Sequence, residues 1–294
     1  MPATQSSDVA GTIYAKVIQT LVTEYQYDDV TAVPFARYAS IEGEKTTTAG
    51  FPRKVKNAVA SVATETTTIA TTAMTTTNVD IAVSRVGLAR EITNTVREDS
   101  TIEQSLSVQG LVADAARLYG ESFDTDLTAQ FSSVTASVGT TTVAISIANM
   151  VALMASQRAN KARGMQVIHM HDLGLKQLQQ AQAAATATPW AVFYQPNADS
   201  TQFGGYFMNA QVWASSKNPT ANAAADRVAA AWSIGNGPGG RPEYCAFGFV
   251  MKRLPSSLEQ ADVLMDANIW ASFCRYGVGI VANNFSTKYI HQNA

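Results

Sequence analysis

The chain has 294 residues, with 23 Asp and Glu against 21 Lys and Arg, a formal net charge of −2 and a pI near 5.9. That length is ample for a proper hydrophobic core, in one large domain or two, and the charge balance lacks the basic stripe of a dedicated nucleic-acid-binding surface. Charged residues are only 15%, well below the usual quarter. Thr, Ser, Asn and Gln take their place, which suits broad neutral hydrogen-bonded contact with other chains better than life as a lone soluble enzyme.

Two cysteines, Cys245 and Cys274, cannot form a disulfide framework and read as reduced, buried thiols of an intracellularly folded chain. The opening residues 1–8 lack the basic and apolar regions of a secretory signal. The longest apolar run, residues 143–155, is too short to span a bilayer and carries Ser146 and Asn149. A soluble chain made in a cytoplasm, with no membrane partner, is expected.

In chain order, Ile13, Val17, Leu21 and Tyr25 form an amphipathic helical stripe. Residues 33–48 look extended and turn-rich, so residues 1–50 read as an N-terminal arm. Residues 51–56, Phe-Pro-Arg-Lys-Val-Lys, predict a strand with proline at its start. Val79, Ile81 and Val83 then alternate with polar positions as in a half-buried strand. Between them lies a threonine-dominated run, residues 64–77, whose β-branched side chains favour extended chain but supply no core of their own. Together these predict a long two-stranded arm that must rest on its own body or on a neighbouring subunit. The parity slips at Ser84 and Arg85, since Val86 and Leu88 fall on the other face, which predicts a bulge or twist there.

Ser100-Thr101-Ile102-Glu103 is a capping box, and apolar residues from Ile102 to Phe131 recur at helical spacing. This predicts a helix of about thirty residues, about 45 Å long. From Val143 an alternating α/β texture follows: a helix over 145–163 closed by Gly164, a buried strand over 165–170, and a helix to Ala185 capped by Asp172. Strands are expected over 190–194, 205–215 and 245–251, and an alanine-rich helix over 221–232. Residues 235–242 read as a flexible loop, and 268–275 and 276–289 as two final strands.

Chemistry-bearing clusters are few. His169 and His171 with Asp172 resemble a metal site, but no third histidine lies nearby in sequence, so a structural role is expected, with no bound metal and no cofactor. The glycine loop after Ile234 lacks the ending of a phosphate-binding loop, and no nucleophile elbow is present. Glu42 and Glu44 read as solvated charge. Catalysis finds no support. The compact basic set Arg53, Lys54 and Lys56 at the base of the threonine arm is either a solvated strand face or a register-setting partner for acids of an adjacent subunit.

This order resembles the major capsid proteins of tailed bacteriophages, the Johnson or Hong Kong 97-type fold. Residues 57–65, an alanine-rich approach to Glu65, residues 77–82, the returning strand, and Glu98-Asp99-Ser100, at the start of the spine helix, carry the likeness. The resemblance implies an α+β fold with an N-terminal arm (1–50), a long β-hairpin extended loop (51–93), a peripheral domain with the spine helix (94–142), an α/β axial domain (143–265) and return strands (266–294). It implies self-assembly into hexamers and pentamers of an icosahedral shell around double-stranded DNA. The partners expected are a portal, a separate scaffolding protein and in some cases a decoration protein. The virion is the expected location, after assembly in the host cytoplasm. Arg53, Lys54, Lys56, Glu65, Thr67, Thr72, Met74 and Thr76 are the expected subunit-interface residues. The arm tip carries no lysine, so no isopeptide crosslinks are expected. A threonine-rich surface or adhesive protein, and an α/β metalloenzyme using His169 and His171, stand as alternatives.

Overall fold

The computed structural model describes residues 30–54, 76–94, 108–160, 162, 164–184, 193–194, 202–235, 245–262 and 266–293. The expected helix over 9–25, the capping box at Ser100, the glycine loop and the tip of the threonine arm lie outside them.

Residues 30–50 enter the body. Thr31 and Ala32 are buried, Val33–Phe35 forms a 3-10 turn, and β1 (Arg37–Ser40) follows. Next come β2 (Thr48–Lys54), β3 (Thr76–Ala82) and β4 (Ser84–Thr93). β2 and β3 form a two-stranded antiparallel ribbon, from Thr48 opposite Ala82 to Lys54 opposite Thr76. Pro52 sits inside β2 rather than at its start, which an unpaired ribbon edge tolerates. The parity slip is a passage between sheets and not a bulge. Ile81 and Val83 pack into one cluster, the chain breaks at Val83, and Val86 and Leu88 on β4 pack into another.

Helix α1 (Val108–Ala129) runs directly into a 3-10 turn, Gln130–Ser133. It is followed by β5 (Ser137–Val138) and by α2 (Ile147–Ala159), whose N-cap Ser146 accepts from the Asn149 amide at 3.2 Å. β6 (Met165–Met170) is the expected buried strand. In α3 (Asp172–Ala184) Asp172 is already helical, and His171 Nδ1 accepts the Leu173 amide at 3.2 Å, so the histidine takes the capping place expected of the aspartate.

β7 (Phe193–Tyr194) is a short strand. The single strand expected over 205–215 is a hairpin, β8 (Phe203–Phe207) and β9 (Ala210–Ala214), turned by Met208 and Asn209 at φ 48° and 70°. Two left-handed residues give the turn whose twist matches the strands, and asparagine tolerates that conformation.

The largest correction concerns residues 221–232. After β10 (Thr220–Ala221) they form a turn and then β11 (Asp226–Ile234), an extended strand and not a helix. β11 lies between β14 (Ser286–Gln292) and β6, with Ala229 and Ala231 buried on one face and Ala230 and Trp232 on the other. Alanine favours helix by only tenths of a kcal/mol per residue, which two rows of strand hydrogen bonds and burial on both faces override.

β12 (Phe247–Asp262) is far longer than the expected 245–251, and β13 (Ala267–Ile280) runs antiparallel beside it. Beyond Met251 the pairing of β12 with β1 ends, its pairing with β13 shifts register around Arg253, and Pro255 follows. Bulges and proline blunt a sheet edge against unwanted pairing.

Two main sheets result. One has the order β1-β12-β13-β4; the other is β5-β14-β11-β6-β9-β8-β7, with β10 on β11. Helices α2 and α3 cover one face of the larger sheet through Met150, Leu153, Met154 and Leu178. Its other face meets Leu127 at the end of α1 and Phe131 in the 3-10 turn that follows, packed against Trp232 and Phe247. The rest of α1 lies on the four-stranded sheet through Ala115 and Tyr119, against Trp270, Cys274 and Tyr276.

Candidate subunit interface

The described root of the threonine arm packs on the face of the four-stranded sheet opposite α1. Phe51, Ile81 and Val83 are buried there with Val250 and Val281. The floor is paved with glycine. A Cβ on Gly277 would collide with the Ala82 carbonyl oxygen, one on Gly248 would come within 2.8 Å of Ile81 Cδ1, and one on Gly279 within 3.1 Å of Ile81 Cγ1. Backbone can approach backbone only where no side chain intervenes. Arg37 lies over the Phe51 ring at 5.2 Å. The Lys252 ammonium donates to the Glu44 carbonyl at 2.9 Å and to that of Thr46, pinning the turn that leads into β2.

Of the residues expected at the interface, Arg53 is half-buried opposite Thr77, and Lys54 is opposite an exposed Thr76. Lys56, Glu65, Thr67, Thr72 and Met74 lie outside the described residues. Glu42 and Glu44 are exposed.

The two histidines of the suggested metal cluster serve different places. His169 is fully buried, and its Nε2 lies 2.7 Å from Thr31 Oγ1, which donates to Asp124 Oδ2 at 3.1 Å. Since the threonine proton goes to the carboxylate, the geometry assigns His169 Nε2–H as donor to Thr31, a neutral tautomer. Burial drives its pKa down to about 4, against the opposing pull of Asp124. Asp124 Oδ1 also accepts the amides of Ala32 at 2.6 Å and Val33 at 3.1 Å, with Lys217 Nζ 4.0 Å from Oδ2. The cluster is a clasp joining residues 31–33, α1 and β6. His171 caps α3 instead, and burial lowers its pKa. Among the described residues no three His, Cys, Asp or Glu converge to hold a metal ion, and His169 and His171 face different partners, so the metalloenzyme alternative finds no donor set there. Among the described residues no helix is long and apolar enough to cross a membrane.

Sequence reasoning missed the glycine floor and the clasp. The Gly-x-Gly at 277–279 inside a strand was the available signal for the first; nothing local marked the pairing of Thr31 with Asp124 and His169.

No family model and no curated protein matches the chain in sequence. Solved structures match it in fold. A capsid described as that of a native GTA particle aligns with TM-score 0.70 at 14% identity, covering 99% of this chain and 100% of the other. The capsid of cyanophage P-SCSP1u gives 0.69 at 10% identity, covering 95% and 93%. The head structure of Helicobacter pylori bacteriophage KHP40 gives 0.69 at 8% identity, covering 95% of each chain. The chain has the Hong Kong 97-type capsid fold. An encapsulin of Synechococcus elongatus, in a holo-SrpI complex, shares it with TM-score 0.65 at 10% identity, covering 98% of this chain and 95% of the other.

Proposed function

We propose that this chain is the major capsid protein of a tailed-phage-type particle, a structural and non-enzymatic subunit that assembles into hexamers and pentamers of an icosahedral shell. The observation that carries this reading is the likeness to capsid subunits over nearly the whole of both chains, together with a threonine-rich arm rooted on a glycine-paved sheet and offering little to bury in a core of its own. Segments 1–50, 51–93, 94–142, 143–265 and 266–294 serve as N-terminal arm, extended loop, spine-helix peripheral domain, axial domain and return strands. The arm lies over a neighbouring copy, with Arg53, Lys54, Lys56, Glu65, Thr67, Thr72, Met74 and Thr76 at that contact. Weak pairings repeated by symmetry close the shell. Double-stranded DNA is packaged inside without sequence-specific binding, and a portal, a scaffolding protein and a decoration protein are the further partners, with assembly in the host cytoplasm.

Deleting residues 58–76 tests this. A folded monomer or capsomer that closes no shells is expected by electron microscopy, and intact particles from the deletion would refute the role of the arm. Nucleic acid recovered from nuclease-treated native particles tests whether the shell encloses a genome, and particles that yield none would refute that part of the reading.

A further inference from the structure

Three arginines stand side by side on the sheet face that carries the arm root. Arg253 on β12 is the direct cross-strand partner of Arg275 on β13, and Arg275 that of Arg85 on β4. Adjacent strands are about 4.8 Å apart, and like charges set directly opposite destabilise a sheet. Two of the guanidiniums are nevertheless held in place. Arg85 stacks over the Phe273 ring at 4.1 Å, and Arg253 donates to Ser256 Oγ at 2.8 Å. The Arg275 Nε is buried without a hydrogen-bond partner among the described residues. No described carboxylate comes within ion-pair distance of any of the three; the described ion pairs join Arg90 to Asp114 and Lys217 to Asp124. A row of positive charge with no counterion among the described residues is a receptor for an anion.

The surroundings identify which anion. Beyond the row, on the same face, Leu258 is 64% exposed opposite Ala271, and Ile269 and Phe273 are half-buried. Arginine beside aromatic and apolar surface is the composition of a protein interface core, whereas a phosphate-tracking groove gains nothing from an exposed leucine. The sole charged residue between Lys56 and Asp80 is Glu65, in a segment that also carries Ile69 and Met74. Glu65 is 11 residues from Lys54 and 11 from Thr76, so at about 3.3 Å per residue the intervening chain is long enough to carry its carboxylate up to roughly 36 Å from the described end of the ribbon, within reach of another copy.

We propose that the row formed by Arg85, Arg253 and Arg275 receives the Glu65 carboxylate from the threonine arm of a second copy, with Leu258 and Phe273 taking the apolar side chains beside it. The assignment rests on the shell-subunit reading above. It makes the row a register device, because one carboxylate against three clustered guanidiniums fixes where along the sheet the arm stops.

The test uses the full chain. Wild-type particles are first verified by electron microscopy; their absence would defeat the shell reading itself and this assignment with it. Three variants follow: Arg85→Glu/Arg253→Glu, both at exposed positions, Glu65→Arg, and the combination of all three changes. Thermal melting of unassembled subunits reports folding, and light scattering reports the subunit concentration at which particles form. The first two variants should melt as wild type yet need about tenfold more protein, or more, to assemble, and the combination should recover most of that loss. Glu65→Arg assembling at the wild-type concentration, or a combination no better than its parents, overturns the proposal. So do arginine variants that assemble normally but recover less nucleic acid, since the row would then serve phosphate.

Discussion

Replacing Gly277 by alanine isolates the docking of the arm root from the rest of the fold. The added methyl meets the Ala82 carbonyl oxygen at the last position of β3 and comes within 3.3 Å of Ile81 Cγ2, while the neighbouring backbone belongs to a strand paired on both sides. β13 cannot retreat, so the ribbon must lift. Overpacking of this kind costs about 1–3 kcal/mol, and lifting also withdraws Ile81 and Phe51 from Val250 and Val281. A shift of 1 kcal/mol moves the melting temperature by about 2–4 °C in a chain of this size class, so a drop of roughly 2–12 °C is expected. Hydrogen exchange should speed up in residues 48–54 and 76–82 while β6 and β11 keep their protection, and assembly should fail. Gly43→Ala is the control. It carries its own left-handed backbone penalty at φ 81°, but its Cβ meets nothing within 4 Å, so assembly should survive. A Gly277→Ala chain that exchanges, melts and assembles as wild type would refute the glycine-floor argument.

Acid should weaken the clasp. His169 is held at about 4 when folded against 6.5 when unfolded, so the unfolded chain takes up the proton first as pH falls. The stabilisation is complete above about pH 6.5, is lost progressively down to about pH 4, and amounts to something on the order of 3 kcal/mol. Denaturant titrations from pH 7 to 4 should show that loss, and His169→Gln should flatten it. Asp124→Ala strands the amides of Ala32 and Val33 and the hydroxyl of Thr31 in the core, for an expected loss of about 3–5 kcal/mol; limited proteolysis should then cut near residue 30 well before the body, and an unchanged digestion pattern would count against the clasp. Burial raises the Cys245 thiol and pushes Cys274 up to about 11, so a thiol reagent at pH 8 should label neither residue until denaturant is added.

Much of the architecture was legible in the sequence, because its signals are local. The β6 strand and the alternation of Val79, Ile81 and Val83 need only side-chain periodicity, whereas the helix expected over 145–163 spans only Ile147–Ala159, because Ser146 caps it from outside. The order of arm, long helix and α/β segment carried the resemblance to the capsid fold. Local signals misled where neighbours in space decide. The alanines of β11 read as helix because propensity is counted along the chain, whereas their conformation is set by β6 and β14 on either side. The arginine row was invisible for the same reason: Arg85, Arg253 and Arg275 are remote in sequence and meet only through strand register.

What the sequence determined by itself is that a threonine-rich arm with no core of its own precedes a long helix and an α/β body, since composition and periodicity are properties of the chain alone. The tertiary structure decided where that arm is rooted and what lies beside the root. Glycines brought together by pairing β12 with β13 make a floor, and three arginines aligned by that pairing and by the pairing of β13 with β4 make a charge with no counterion among the described residues. Proximity between residues far apart in the chain is created only when strands come into register, and the candidate interface is made of such proximities.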